Sequence, residues 1–412
     1  MKYFIDNQVV LFRTPEGPLV AHIAPFAESL REQGYAPISI HRQVLVVTCF
    51  SRWLKQQGVA LCHISADHCS RYLRCRARRM RPDSMDASSL RHLIDFLRRE
   101  GVIAAEKTST PRLTPAERCA QAYGQHLREV RALNEATIVN YVPFIGRFLT
   151  SCFGNSPVML SRLSARDVVR FVQHQAPHLH QKRAQRLTTA LRSFLRYARY
   201  RGEVTLDLAA AVPVVANWSM PSIPRAIGAE QVRQLLASID RSTELGRRDY
   251  AILLLVARLG LRSGEVAFLE LDDIDWDVGQ VSVRGKGGQQ STLPLPSDVG
   301  EAIAAYLRHG RPRCANRRVF LRSRAPIRGF MSQVAVGSVI RRALRRAGIS
   351  APTMGAHQFR HSLACQMLRH GASLAEIGEV LRHRRPQTTT IYAKVDLGAL
   401  RTLALPWPGG AR

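Results

Sequence analysis

Two stretches of the N-terminal half repeat one another, and a repeat restricts what a chain can fold into more than composition does. One closes on Leu90-Arg91-His92-Leu93-Ile94-Asp95-Phe96-Leu97-Arg98-Arg99-Glu100-Gly101, the other on Leu191-Arg192-Ser193-Phe194-Leu195-Arg196-Tyr197-Ala198-Arg199-Tyr200-Arg201-Gly202. Aligned end to end, apolar meets apolar at Leu90/Leu191, Leu93/Phe194, Ile94/Leu195 and Leu97/Ala198, and glycine closes both. Upstream, Ile40, Val44, Val47, Phe50 and Leu54 form an apolar stripe at helical spacing, matched by Ile138, Val142, Ile145 and Leu149. Ile64-Ser65-Ala66-Asp67 and Leu163-Ser164-Ala165-Arg166 look like helix starts, with Ser accepting from exposed backbone N–H groups. Each copy therefore reads as a bundle of roughly four helices.

Both copies are rich in arginine: Arg71, Arg74, Arg76, Arg78, Arg79 and Arg81 in the first, Lys182, Arg183, Arg186, Arg192, Arg196 and Arg199 in the second. The whole chain carries 60 Lys and Arg against 31 acids, a net charge of +29. Charge of that size attracts polyanions, nucleic acid foremost, and its recurrence in both copies favours phosphate-backbone contact over a merely solvated face. Arg183, Arg186, Arg192 and Arg196 are the expected DNA-binding set. The start MKYFIDNQVV has no basic-then-apolar export pattern, and the apolar run Ala251–Ala257 is too short to span a bilayer. A soluble, cytoplasmic protein with no membrane partner is expected. The eight cysteines are scattered. Cys62-His63 and His68-Cys69 pair neighbours whose side chains diverge, so buried, reduced thiols are favoured over a zinc site.

Glu106–Pro115 and Pro213–Pro224 read as linkers, giving an N-terminal helical domain at 1–110, a second helical domain at 111–212, a mixed domain at 225–396 and a tail at 397–412. In the mixed domain Asp249–Leu259 is an apolar helix ended by Gly260, and Val281–Val283 and Thr292–Leu295 read as strands around the turn Gly285-Lys286-Gly287-Gly288. Helices resume over Val334–Ala347, His357–His370 and Leu374–Leu381. The expected class is mainly α, multi-domain, with a small β-hairpin or sheet in the C-terminal domain.

That domain also carries a constellation suited to one chemistry. Arg262 opens a helix, Lys286 sits on a glycine hairpin, His357 and Arg360 share a helix face, His383 follows a helix end, and Tyr392 comes nine residues later. Two guanidiniums match the nonbridging oxygens of a phosphodiester under attack. A lysine can protonate a leaving 5′ oxygen. A tyrosine, with an ordinary pKa of about 10, needs a basic neighbour or a cationic field to become a nucleophile. Singly each residue is commonplace; the set is not. Glu265 is too acidic to touch phosphate and reads as orienting an arginine, and His361 reads as structural.

The arrangement closely resembles the tyrosine recombinase (phage integrase) family over about 225–396. The residues that carry it are Leu259-Gly260-Leu261-Arg262-Ser263-Gly264-Glu265, Lys286, His357-Gln358-Phe359-Arg360-His361, Leu381-Arg382-His383 and Thr388-Thr389-Thr390-Ile391-Tyr392. The segment 115–210 resembles, by pattern, the family's helical core-binding domain. The resemblance implies a site-specific recombinase with Tyr392 as nucleophile, a 3′-phosphotyrosyl intermediate, no cofactor and no metal. It also implies recombination sites on double-stranded DNA as partner and a tetramer, of one chain or with related recombinases, serving integration, excision or resolution of a mobile element. Arg382 departs from the family's usual Gly, Phe359 from Leu, and Gln289 and Gln290 stand where basic residues often follow the lysine. The tail, apolar at Leu397, Leu400, Leu403 and Leu405, is suited to dock on a neighbouring protomer. Three rivals stand against this reading: a catalytically silent architectural DNA-binding protein, a relaxing type IB topoisomerase-like enzyme, and a metal-dependent nuclease built on Glu270, Asp272, Asp273, Asp275 and Asp277.

Overall fold

A computed structural model describes residues 3–6, 9–11, 13–78, 80–81, 83–104, 113–216, 225–285 and 288–395. Lys286 and the tail from 396 lie outside the described residues. The chain forms two compact units, 1–105 together with 222–412, and 106–221.

The first unit opens with a short antiparallel pair, β1 (Tyr3–Asp6) and β2 (Val9–Leu11), too short to stand out in the sequence pattern. Helices α1 (Val20–Glu32), α2 (Pro37–Gln56), α3 (Ala66–Ala77) and α4 (Ser84–Arg99) follow. The second unit is α5 (Pro115–Glu129), α6 (Glu135–Phe153), α7 (Ala165–Gln175) and α8 (Gln181–Tyr200). In both sets a single 3-10 turn, Leu61–His63 or Leu160–Arg162, precedes the third helix. The aligned pairs Leu90/Leu191, Leu93/Phe194, Ile94/Leu195 and Leu97/Ala198 are all buried. Gly101 and Gly202 adopt φ +70 and +71, the left-handed conformation that closes a helix at glycine. Ser164 caps α7 reciprocally with Asp167. At the start of α3 the Nδ1 of His68 accepts from the Ser65 N–H at 3.3 Å, which gives that histidine a capping task. No cysteine is in a disulfide, but none is buried as expected: Cys49 and Cys62 are exposed and the other six half-buried. Helix α5 starts at Pro115, the last residue of the first expected linker, and is capped by Thr114.

The start of the second expected linker is held against its own helical unit. Gln181 Nε2 donates to the Ala216 carbonyl at 2.9 Å, and Arg192 Nη2 donates to those of Val212 at 2.8 Å and Pro213 at 3.1 Å. Val212–Ala216 thus runs back along α8, held at both ends.

The C-terminal part of the first unit is built around α10 (Glu244–Arg258), whose Ala251–Val256 segment is buried on every side. A helix apolar all round must be covered all round. It is, by α9 (Ala229–Ala237), α11 (Ser263–Ala267), α12 (Ser297–His309), α13 (Val334–Arg346) and α14 (His357–Arg369). Helix α15 (Leu374–Val380) packs on α14. A three-stranded antiparallel sheet, β3 (Ile274–Asp275), β4 (Gln280–Arg284) and β5 (Gln290–Pro294), flanks this bundle. Arg284 pairs with Gln290, which sets the glycine turn at the sheet's end. The acidic run near β3 is not simply exposed. Asp273 is buried and accepts from Arg284, Glu270 pairs with Arg284 and Arg318, and Asp272 pairs with Arg317. Within this unit the α1–α2 turn meets the loop after residue 321: the Ile327 N–H donates to the Gln33 carbonyl at 2.8 Å. Gly34, at φ +79, leaves no room there for a side chain, since a Cβ would lie 2.5 Å from Ile327 Cγ1.

Candidate active site

Four segments far apart in sequence supply the residues singled out above. The first is the break between α10 and α11. Gly260 stops α10 at φ +58, and a Cβ there would lie 3.0 Å from Leu381 Cδ2 and 3.1 Å from Leu363 Cδ2. Left-handed backbone and close approach both call for glycine. Arg262 then caps α11, its backbone N–H donating to Glu265 Oε2 at 2.9 Å and its Nη1 to Oε1 at 2.7 Å.

The second segment is the start of α14. His357 opens the helix, and Arg360 and His361 follow three and four residues on, within reach of the same face. Arg360 is buried; its Nη1 donates to the Gly260 carbonyl at 2.7 Å and its Nη2 to the Leu381 carbonyl. One guanidinium thereby ties together the ends of α10 and α15. The third segment is the turn after α15, where the His383 N–H donates to the Gly378 carbonyl at 2.9 Å and its Nδ1 lies 2.7 Å from Thr389 Oγ1. The fourth is a 3-10 helix, Thr390–Val395, that carries Tyr392. Its side chain is fully buried, with the hydroxyl 2.9 Å from His361 Nδ1 and the two rings edge-on, centroids 5.6 Å apart.

These groups share one electrostatic environment. Burial pushes the Tyr392 hydroxyl up to about 12, while the Arg360 charge pulls it down. Burial depresses His383 to about 4, helped by repulsion from Arg360 and Arg262, so this histidine is neutral at pH 7. His361 is lowered by burial and then by the charges of His357 and Arg360. Arg360 is itself lowered, to about 9, by burial and by Arg262 and Arg382, and still carries its proton at neutral pH. A cavity of about 420 Å³ opens among Arg262, Glu265, Gly285, His357, Arg382 and His383. It is lined by arginines and two imidazoles around a single carboxylate that is already paired, a surface suited to an anion.

His361 is the residue that sequence reasoning undervalues. Its position four residues after His357 is the available signal, since two histidines at that spacing lie on one helix face. In the second unit, Arg183, Arg186 and Arg196 stand exposed on α8, whereas Arg192 is half-buried against the carbonyls of Val212 and Pro213.

Residues 225–397 match the sequence model of the phage integrase family. "Putative integrase/recombinase y4rA" of Sinorhizobium fredii is 57% identical over 412 residues, 100% of both chains. "Tyrosine recombinase XerD" of Mycobacterium tuberculosis is 32% identical over 308 residues, 70% of this chain and 96% of that one. Among solved structures, XerH recombinase in a post-cleavage complex with its difH substrate aligns with TM-score 0.56 at 19% identity, covering 70% of this chain and 84% of that one. A lambda integrase tetramer bound to a Holliday junction aligns with TM-score 0.52 at 17% identity, covering 76% and 88%. At those identities the structural likeness speaks for the fold.

Proposed function

The chain belongs to the phage integrase family of tyrosine recombinases, and we propose that it cuts and rejoins double-stranded DNA at specific sites through Tyr392. The observation that carries this reading is the meeting of Tyr392 Oη with His361 Nδ1 at 2.9 Å beside Arg360, from segments 31 residues apart. A phenol held up at about 12 is inert until a base takes its proton or cations stabilise its anion, and both are at hand.

In the proposed step Tyr392 Oη attacks the scissile phosphorus as its proton passes to His361. The bond from phosphorus to the 5′ oxygen breaks, leaving a 3′-phosphotyrosyl link and a 5′-hydroxyl. Arg262 and Arg360 stabilise the nonbridging oxygens, with His357 and neutral His383 donating hydrogen bonds beside them. Lys286, between Gly285 and Gly288 of the β4–β5 turn, protonates the leaving oxygen. Attack by a partner strand's 5′-hydroxyl reverses the step, so the phosphate bond is conserved and no nucleotide cofactor is consumed. Glu265 orients Arg262. A tetramer on paired sites, of this chain or with related recombinases, fits the assembly named for lambda integrase. The task is integration, excision or resolution of a mobile element, in the cytoplasm where the DNA is. Among the described residues no helix is long and apolar enough to cross a membrane.

A nicked suicide substrate, in which the 5′ fragment diffuses away, tests the reading. A protein–DNA adduct is expected on a denaturing gel and is expected to persist in excess EDTA, because cations of the chain supply the charge stabilisation. Cleavage abolished by EDTA and restored by Mg²⁺ supports the carboxylate rival instead. That rival is already weak: three of its five acids, Glu270, Asp272 and Asp273, are held by arginines.

The exposed arginines of α8 have their own readout. Replacing Arg183, Arg186 and Arg196 together by Ser is expected to weaken binding to all sequences alike. The slope of log affinity against log salt should become shallower by roughly 0.9 for each phosphate no longer neutralised. An unchanged slope, measured by titration at several salt concentrations, makes them a solvated face.

A further inference from the structure

Position 382 holds a long side chain where the backbone favours none. Arg382 has φ +54, one of two non-glycine residues with positive φ among those described, the other being Ala132. Its N–H donates to the Glu379 carbonyl at 2.8 Å and so closes α15, a position glycine usually fills. Strain of this kind persists where the surroundings over-determine it, and such places cluster at functional sites.

The surroundings here are specific. The Arg382 guanidinium turns inward, only 10% exposed, and its Nη2 donates to Glu265 Oε2 at 2.9 Å across 117 residues of sequence. The other oxygen of the same carboxylate accepts from Arg262 Nη1 at 2.7 Å. Arg262 is 34% exposed, Arg382 10% and Glu265 3%, so the carboxylate lies deepest, held between two guanidiniums that both line the cavity. The buried Nε of Arg382 has no hydrogen-bond partner among the described residues, so the side chain is not there to saturate its donors. What it brings is charge. Arg262 and Glu265 alone make a neutral pair, and a neutral pair attracts a phosphate poorly. Two guanidiniums around one carboxylate leave one net positive charge, and the more exposed of the two cations is Arg262.

We propose that Arg382 is a positioning residue for strand cleavage: it balances the Glu265 carboxylate through its second oxygen, so that Arg262 is held in place and yet presents its charge to the scissile phosphate. This rests on the reading of the cavity as the phosphate site. Arg382 itself need not touch DNA.

The test uses the full-length chain as wild type, Arg382→Gly, Arg382→Lys, Glu265→Gln and the double variant R382G/E265Q. DNA affinity and single-turnover adduct formation at saturating protein are measured separately. Glycine suits the left-handed backbone, so R382G is expected to fold and to bind DNA within about twofold of wild type. Its cleavage rate is expected to fall by ~10- to 100-fold, below the loss typical of deleting a direct oxyanion donor. R382K, which restores the charge, recovers part of that loss. The double variant is expected to cleave faster than R382G, because the carboxylate that Arg382 balanced has gone. A merely structural arginine gives the opposite pattern, with the two losses accumulating and lysine no better than glycine. R382G at wild-type rate, or a double variant no faster than R382G, overturns the proposal. Wild type that forms no adduct overturns the phosphate reading itself; loss confined to the variants separates the two failures.

Discussion

Tyr392→Phe is expected to abolish the covalent protein–DNA adduct while leaving DNA affinity within about twofold of wild type. The substitution removes one oxygen and keeps the ring, which fills the core between α14 and α15 and meets His361 edge-on. The fold loses a single hydrogen bond to His361, worth about 1 kcal/mol, and the cost of burying the hydroxyl disappears with it. Nothing else in the described structure touches the hydroxyl by hydrogen bond. The effect on chemistry is total because no water or neighbouring serine can yield the same tyrosyl link. Gel shift gives the affinity and a denaturing gel the adduct. An adduct surviving in Tyr392→Phe, mapped by peptide sequencing to another residue, removes Tyr392 from its role and with it the assignment of the surrounding cations.

Much of this is written in the chain. The glycines at 101 and 202 and the matched apolar positions before them announce two helical bundles, because helix-face periodicity and a left-handed stop are local properties. Arg262, His357, Arg360, His383 and Tyr392 can be placed in order for the same reason: each sits at a helix start, a helix face or a turn with a recognisable local signature. What stays hidden depends on packing between distant segments. That His361 rather than His357 meets the tyrosine hydroxyl follows from how the 3-10 helix of residues 390–395 lies on α14. Arg192 belongs to a basic run in sequence, but the route of residues 212–216 along α8 gives its guanidinium two carbonyls. The acids from 270 to 273 alternate like an exposed turn, yet Asp273 is buried against an arginine eleven residues away in β4. Helix α12 is hard to see in sequence because its apolar face, Val299, Ala302, Ile303 and Tyr306, is interrupted by glycine and alanine that blur the period.

Arg360→Lys is the second large effect, and it separates charge from shape. Arginine at this position does two things through one planar group. Its Nη1 and Nη2 hold the carbonyls of Gly260 and Leu381, which come from segments on either side of the cavity, and its charge faces Arg262, His383 and Tyr392. Lysine keeps the charge but offers a single ammonium at the end of a flexible stem, so it cannot span two carbonyls set by a guanidinium's geometry. One buried acceptor is left unsatisfied, at a cost of about 1–3 kcal/mol. Adduct formation is expected to fall by on the order of 100- to 1000-fold, the size of effect seen when one oriented donor is removed from a charge-stabilising site. DNA affinity, set by exposed cations elsewhere, should change little. The pH dependence supplies a sharper check. Burial and two neighbouring arginines already bring Arg360 down to about 9, and the same surroundings act on a lysine whose ordinary value, about 10.4, lies lower to begin with. A cation with a depressed value is charged below it and neutral above it. The substituted lysine therefore gives up its proton as pH rises through the range where Arg360 keeps its own. Wild-type cleavage should rise with pH as the tyrosine, held near 12, yields its proton more readily. In Arg360→Lys that rise should flatten or reverse on the alkaline side. Single-turnover rates across pH values from neutral to mildly alkaline decide it: a variant within about threefold of wild type, with the same profile, shows that charge alone suffices and that the two carbonyl hydrogen bonds are incidental to cleavage.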